Sequence, residues 1–346
     1  MRLGISEQIR YNAPALCIGT YEMITLGIET SCDETAAAVV DDHGLVYANC
    51  IASQIHLFEQ VGGVVPELAA RAHTEKIIPV IDQALIDSGL GWDQIDQIAV
   101  TEAPGLIGSL LVGQSASRAL AYARHKSLVW VNHLRAHVLA AWLQNKDIEF
   151  KSKNLEIAFP AIGLLVSGGH TELISMQNMQ TWEVIGRTRD DAAGEAFDKV
   201  GTLLGLPYPG GPQVSRAAAT GDPAAFAFPR ALLETGSCDF SFSGLKTAVL
   251  RSVQQEKQAP RYASRTQFVA DVAASFEQAV VDTLLEKTRR ACSQHPAKSI
   301  ILAGGVAANQ ALRAALSEEY KERLHLPALE YCTDNAAMVA FASMQN

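Results

Sequence analysis

Apolar and polar positions alternate in blocks that predict strands and helices in turn from residue 24 onward. "ITLGIET" (24–30) reads as a buried strand, "SCDE" (31–34) as a polar turn and "TAAAVVDDHG" (35–44) as a returning strand. A third strand over 45–55 completes a meander. The pattern then changes to a spacing of three and four residues over 65–89, which predicts a helix that stops at Gly89. A strand is expected over 95–105, a helix rich in small residues over 109–125 and a buried strand over 127–133.

The order then begins again. "AIGLLVSGGHTELISM" (161–176) predicts strand, Gly-Gly turn and strand, and 193–206 predicts a helix. A long helical region follows from about Tyr262 to Cys292. "SIILAGGVAANQALRAAL" (299–316) predicts strand, Gly-Gly turn and helix, and 334–344 a last helix with Asp334 at its N-cap position. Two units that each open with a strand–turn–strand hairpin, at "ETSCDETAAAVV" and "LVSGGHTELISM", predict two lobes around a cleft. The expected class is α/β, with a two-lobed actin-like fold of the sugar kinase or Hsp70 type. In that arrangement the hairpins form a phosphate clamp, and the glycines of "AGGVAAN" (303–309) let backbone approach a flat ligand. Residues 1–22 read as an extension outside the fold, 23–132 as the first lobe and 133–346 as the second, with the last helix returning to the first.

Composition narrows the class. The chain has 346 residues, 48% hydrophobic and 19% charged, an ordinary globular balance. Its net charge of -9 argues against a free-standing nucleic-acid binder and leaves room for a local basic patch or a partner. Six scattered cysteines include no CxxC pair, which fits a reducing cytoplasm. No apolar run approaches the ~20 residues needed to cross a bilayer, so no membrane partner is expected.

Candidate chemistry gathers at few places. In "VNHLRAHVLAA" (131–141), His133 and His137 share one helical face and could hold a metal, or could be two ordinary helical histidines. Arg135 lies about 200° round the helix from His133, away from that face. Asp334 is the candidate third ligand or a plain helix cap. Two histidines and one carboxylate suit one divalent metal, Fe(II) or Zn. Asp33 and Glu34, at the tip of the first hairpin, are candidate catalytic acids or bases, or simple turn residues. Cys32 has no partner base in sequence. In "DDAAGEAFDK" (190–199), Asp198 could accept from a ligand hydroxyl or the acids could favour a helix start. "YPGGP" (208–212) reads as a tight loop whose Gly210 and Gly211 could line a ribose, and "FSFSGLK" (240–246) as the one basic and hydroxyl-bearing motif or a solvated loop.

Taken in order, "LGIETSCDETAAAVV", "GGVVPELAARAH", "PGLIGSLLVG", "NHLRAHVLAA", "LLVSGGHTEL", "DDAAGEAFDKVGTLLGLPYPGGP", "FSFSGLKTAV", "AGGVAANQALR" and "CTDNAAMVA" resemble the TsaD family. The resemblance covers 23–346. It implies a two-lobed metalloenzyme that transfers a threonylcarbamoyl group from threonylcarbamoyl-adenylate to N6 of the adenosine 3′ of the anticodon, in tRNAs reading ANN codons. It implies His133, His137 and Asp334 as metal ligands. It implies the hairpin Leu165, Val166, Ser167, Gly168 and Gly169, with Asp198, Gly211 and Asn309, as substrate contacts. The partners it implies are tRNA and TsaB- and TsaE-like accessory proteins. Arg135-Ala136 replaces the family's usual Glu-Gly and suggests altered tRNA or partner contacts beside the ligands. Three other readings compete. A metalloprotease would need a carboxylate where Arg135 stands, an actin-like ATPase or kinase would need no His-bound metal, and a scaffold would need no ligands.

Overall fold

The computed structural model describes residues 22–58, 61–145 and 157–345, so residues 1–21 of the expected extension lie outside the described residues. The first half of the chain runs β1 (Ile24–Glu29), β2 (Glu34–Asp41), β3 (Leu45–Ser53), α1 (Ile55–Phe58), α2 (Pro66–Ser88), β4 (Gln97–Ala103), α3 (Ile107–Arg124), β5 (Ser127–Asn132), α4 (His133–Leu139) and β6 (Gln144–Asn145). The second runs β7 (Ala161–Val166), β8 (Thr171–Met176), β9 (Trp182–Arg187), α5 (Ala193–Leu204), α6 (Gly210–Ala218), α7 (Ser243–Gln258), α8 (Arg265–Gln294), β10 (Ser299–Ala303), α9 (Gln310–Tyr320), β11 (Leu324–His325) and α10 (Ala336–Ser343).

Two mixed sheets result. The first has the order β5-β4-β1-β2-β3-β6 and the second β11-β10-β7-β8-β9. In each, the opening strand is antiparallel to its hairpin partner and parallel to a strand that arrives after a helix. The β1–β2 turn and the β7–β8 turn therefore occupy equivalent places in the two lobes. β1, β2 and β7 are buried almost throughout, as near-continuous apolar runs require when both sheet faces are covered.

Helix ends follow local chemistry. Pro66 opens α2, and Gly89 closes it in the left-handed conformation at φ 71°. All eight residues of α10 are buried. The helix lies so close to β1 that a Cβ on Gly27 would sit 2.8 Å from the Ala340 amide nitrogen, so only glycine fits there. The final helix thus packs on the first sheet, and β6 extends that sheet's edge beside β3. α4 joins the lobes: Ala136 and Leu139 pack in the first lobe's core with α10, while Val138 packs with Leu165 of β7 and Ile301 of β10.

Three sequence readings change. "YPGGP" is less a loop than the start of α6, which begins at Gly210. "FSFSGLK" runs into α7 at Ser243 rather than staying solvated, because Asp190 accepts from the Phe242 and Ser243 amides at the helix start. The cap of α10 is Asn335, whose side chain accepts from Met338 N, and not Asp334.

Candidate metal centre and cleft

That last shift matters to the site. With Asn335 capping α10, Asp334 is left to face α4. His137 Nε2 lies 3.0 Å and His133 Nε2 3.6 Å from Asp334 Oδ1. One ligand atom from each of the three residues lies within 4.8 Å of the others. Asn132 caps α4 through the Arg135 amide at 3.0 Å and so fixes where the helix starts and where both rings point.

A residue that the sequence reading missed completes the cluster. Glu29, fully buried at the end of β1, accepts from His133 Nδ1 at 3.1 Å, from Thr101 Oγ1 at 2.5 Å and from the Ser31 amide. This bond holds the His133 proton on Nδ1 and turns Nε2 toward Asp334, the arrangement that metal-bound histidines commonly show. The available signal was a charge ending an otherwise apolar strand. Burial disfavours a charge on His133, but Asp334 and Glu29 outweigh it and raise the imidazole to about 9. Burial also pushes Asp334 up, yet His133 and His137 hold it down to about 2. The His137 Nδ1 is buried and has no partner among the described residues. Two imidazole nitrogens aimed at one carboxylate oxygen, with a backing carboxylate behind one ring, fit a borderline divalent cation.

The first turn sits above this cluster. Its three successive carbonyls are all held: Ser31 O by Leu106 N at 2.8 Å, Cys32 O by His73 Nε2 at 3.0 Å and Asp33 O by Gln54 N at 3.0 Å. Burial, then the Asp33 and Asp334 charges, push the Cys32 thiol up, which removes it as a nucleophile. Burial and the Asp33 carboxylate push Glu34 up to about 10. Glu34 therefore carries a proton at neutral pH, which leaves Asp33 as the candidate base of the pair.

The second turn is built in the opposite sense. Leu165 and Val166 are buried in the core, so only their backbone can face a ligand. The Ser167 amide is spent on His170 O at 2.8 Å. The Gly168 and Gly169 amides make no hydrogen bond among the described residues, and a Cβ on either would meet nothing within 4 Å.

The remaining sequence candidates divide. Of the acids in 190–199, Asp190 caps α7, Asp191 pairs with Lys199 at 2.9 Å and Lys246 at 3.0 Å, and Glu195 pairs with Lys199 at 2.7 Å. Asp198 takes the Gly210 and Gly211 amides at 2.8 and 3.3 Å on Oδ1, and Oδ2 has no bond among the described residues. Burial raises the Asp198 carboxyl, partly offset by those amides, and the Asp33 charge adds to the rise. Asn309 is fully engaged: it caps α9 through Leu312 N and donates to Ser215 Oγ at 3.0 Å and Glu277 Oε1 at 2.7 Å. Arg135 is half-buried and held within the chain at one of its nitrogens. Its Nη2 donates to Met179 O at 3.0 Å and Gln345 O at 3.1 Å, and its guanidinium lies over Trp182.

A family model for TsaD, tRNA N6-adenosine threonylcarbamoyltransferase, matches residues 45–341. The chain belongs to the TsaD family. A relative of that name from Syntrophobacter fumaroxidans is 50% identical over 325 residues, 93% of each chain. One from Bacillus subtilis is 48% identical over 93% of this chain and 90% of its own. Among solved structures, full-length HypF in its phosphate- and nucleotide-bound form aligns over 94% of this chain and 46% of its own, with a TM-score of 0.58 at 10% identity. Component A of the Acidaminococcus fermentans (R)-2-hydroxyglutaryl-CoA dehydratase aligns over 93% and 98%, with a TM-score of 0.51 at 15% identity. The fold is the two-lobed actin-like one. This TsaD protein is a transferase of tRNA threonylcarbamoylation, which sets aside the protease, kinase and scaffold readings. No helix among the described residues is long and apolar enough to cross a membrane.

Proposed function

We propose that the cleft transfers the threonylcarbamoyl group of threonylcarbamoyl-adenylate to N6 of the adenosine 3′ of the anticodon, in tRNAs reading ANN codons, and releases AMP. The observation that carries this is the convergence of His133, His137 and Asp334 beside two turns of opposite chemistry. His133, His137 and Asp334 would hold one divalent metal, Fe(II) or Zn, which supplies Lewis-acid charge to an oxygen of the reacting group.

The chain's own residues do the rest. The Gly168 and Gly169 N–H groups, which make no hydrogen bond among the described residues, donate to phosphate oxygens. Asp198 Oδ2 and the backbone at Gly211 take a ligand hydroxyl at the start of α6. Asn309 acts through Ser215 and Glu277, which it orients. The N6 lone pair attacks the carbamoyl carbon, the carbon–oxygen bond to phosphate breaks, and AMP leaves with the bonding pair. The N6 proton passes to Asp33, while protonated Glu34 donates to the same carboxylate.

Docking of tRNA to a chain of net charge -9 relies on partners, and TsaB- and TsaE-like proteins are the proposed ones, in the cytoplasm. The outer face of α3 suits such a partner, with Ile107 79%, Leu111 56% and Tyr122 86% exposed on one stripe. The test combines the purified chain, these accessory proteins, synthetic threonylcarbamoyl-adenylate and tRNA, with the modified nucleoside read by mass spectrometry. Wild type should form it. The double variant His133→Ala, His137→Ala should stay folded, lose bound metal by elemental analysis and form none. A full metal complement in the double variant would remove the ligand assignment.

A further inference from the structure

His73 lies outside the cleft, on the inner face of α2, and is fully buried. Its ring nevertheless touches the acid-bearing turn. Nε2 lies 3.0 Å from Cys32 O, Nδ1 lies 2.8 Å from Thr35 Oγ1 and 3.2 Å from Gln54 Nε2. A carbonyl only accepts, so Nε2 carries the proton and donates. Nδ1 is then bare and accepts from Thr35 and from the Gln54 amide group. The neutral ring thus satisfies every contact around it, and burial lowers its affinity for a second proton.

The place of that bond in the turn is what gives it weight. Ser31 O and Asp33 O are held by backbone amides, at Leu106 and Gln54, which side-chain substitutions other than proline leave in place. Cys32 O, between them, is held by the His73 side chain and only weakly by Ser109 Oγ at 3.4 Å. The other flank is already wedged, since a Cβ on Gly105 would meet Ser31 O at 2.8 Å. The peptide that joins Cys32 to Asp33 therefore has one strong anchor, and its orientation sets where the Asp33 carboxylate points.

We infer that His73 is a positioning residue that fixes the Cys32–Asp33 peptide, and through it the Asp33 carboxylate, for proton transfer in the cleft. This rests on the proposed role of Asp33, so the test carries one readout that needs no activity. His73→Leu and His73→Gln are made in the full chain, the first removing the donor and the second retaining one at similar reach. Hydrogen exchange is followed at the Gln54 and Leu106 amides, and kcat and KM for threonylcarbamoyl-adenylate are measured in the reconstituted transfer. In His73→Leu, exchange at both amides should rise about tenfold as the turn loosens. Its kcat should fall roughly 10–100-fold with KM little changed, because orientation rather than binding is lost. His73→Gln should restore both to within about threefold. Wild-type exchange and kcat in His73→Leu would overturn the inference, as would equal losses in both variants. If wild type itself transfers nothing, the functional reading fails, and the exchange rates alone decide for or against the anchor.

Discussion

The two hairpin turns hold equivalent positions in two sheets that share a five-strand order, to which the first adds β6, yet they spend their backbone in opposite ways. At the β1–β2 turn the carbonyls of Ser31, Cys32 and Asp33 are all bound and the Ser31 amide is taken by Glu29, so the turn is closed on itself and presents acids. At the β7–β8 turn the Gly168 and Gly169 amides make no hydrogen bond among the described residues, and both residues are exposed. A duplicated scaffold thus offers a fixed carboxylate from one lobe and unspent donors from the other. The lesson is that topology places a turn, while the hydrogen bonds left unmade on it decide its chemistry.

The sharpest break of this contrast is Asp33→Asn. It keeps the shape of the first turn and removes the base. Transfer should fall by roughly 10²–10⁴-fold, the range that a general base contributes. Affinity for an adenylate, measured by calorimetry, should stay near wild type because binding belongs to the other turn. Loss of binding with retained transfer would exchange the roles of the two turns.

Next comes the packing behind the second turn. A Cβ on Gly194 would sit 2.6 Å from Ser167 O and 2.8 Å from Gly168 Cα, both backbone atoms that cannot rotate away. Gly194→Val should therefore displace the β7–β8 turn at a cost of about 1–3 kcal/mol in urea unfolding. It should abolish adenylate binding and leave metal content intact. Unchanged stability would mean that α5 can back away from the turn.

Much of this was legible in the sequence for a definite reason. Strand runs such as "ITLGIE" and the 3–4 spacing of α2 are periodic, and periodicity survives in one dimension. The repeat of hairpins gave the two lobes, and His133 and His137 announced themselves by spacing on one helix. What was hidden depends on contacts between distant residues. Glu29 sits 104 positions from His133, and nothing local in "GIET" says that its carboxylate turns inward to a ring. Asp334 and Asn335 are adjacent, and either could have capped α10; only the fold decides that Asn335 does. Arg135 is expected away from the histidine face by helical angle alone, and what the angle does not tell is that the carbonyls of Met179 and Gln345 meet it there. Asn309, a substrate contact only by the family resemblance, is bonded to α9, Ser215 and Glu277, which no local pattern announces.

Gly169→Ala probes the open side of the second turn more gently. With nothing within 4 Å of the added Cβ, the apo protein should change stability by less than about 0.5 kcal/mol. Adenylate affinity should drop, because the methyl group occupies the space through which a phosphate reaches the amide. Titration calorimetry against AMP reads this directly, and wild-type affinity would place the phosphate elsewhere.

The last test concerns the proton on Glu34, and its sign can be worked out. In the folded protein burial and the neighbouring Asp33 hold the Glu34 carboxyl up to about 10, against an ordinary value of 4.5. Between those limits the native state binds one more proton than the unfolded chain. Stability therefore is full below the ordinary value and declines as pH rises toward the raised one. The direction is opposite to that of an ion-paired carboxylate, whose stabilisation is lost as pH falls. Glu34→Gln keeps an N–H donor for Asp33 and has no proton to lose, so this part of the slope should vanish. Urea midpoints at about pH 6 and about pH 9 measure it: the drop between them should be smaller in the variant than in wild type. Below the ordinary value the two proteins should be nearly equal, since both present a neutral donor to Asp33, and by about pH 6 the variant should already be the more stable. Equal drops would mean that Glu34 is ionised in the native turn, and the choice of Asp33 over Glu34 as the base would then lose its physical ground.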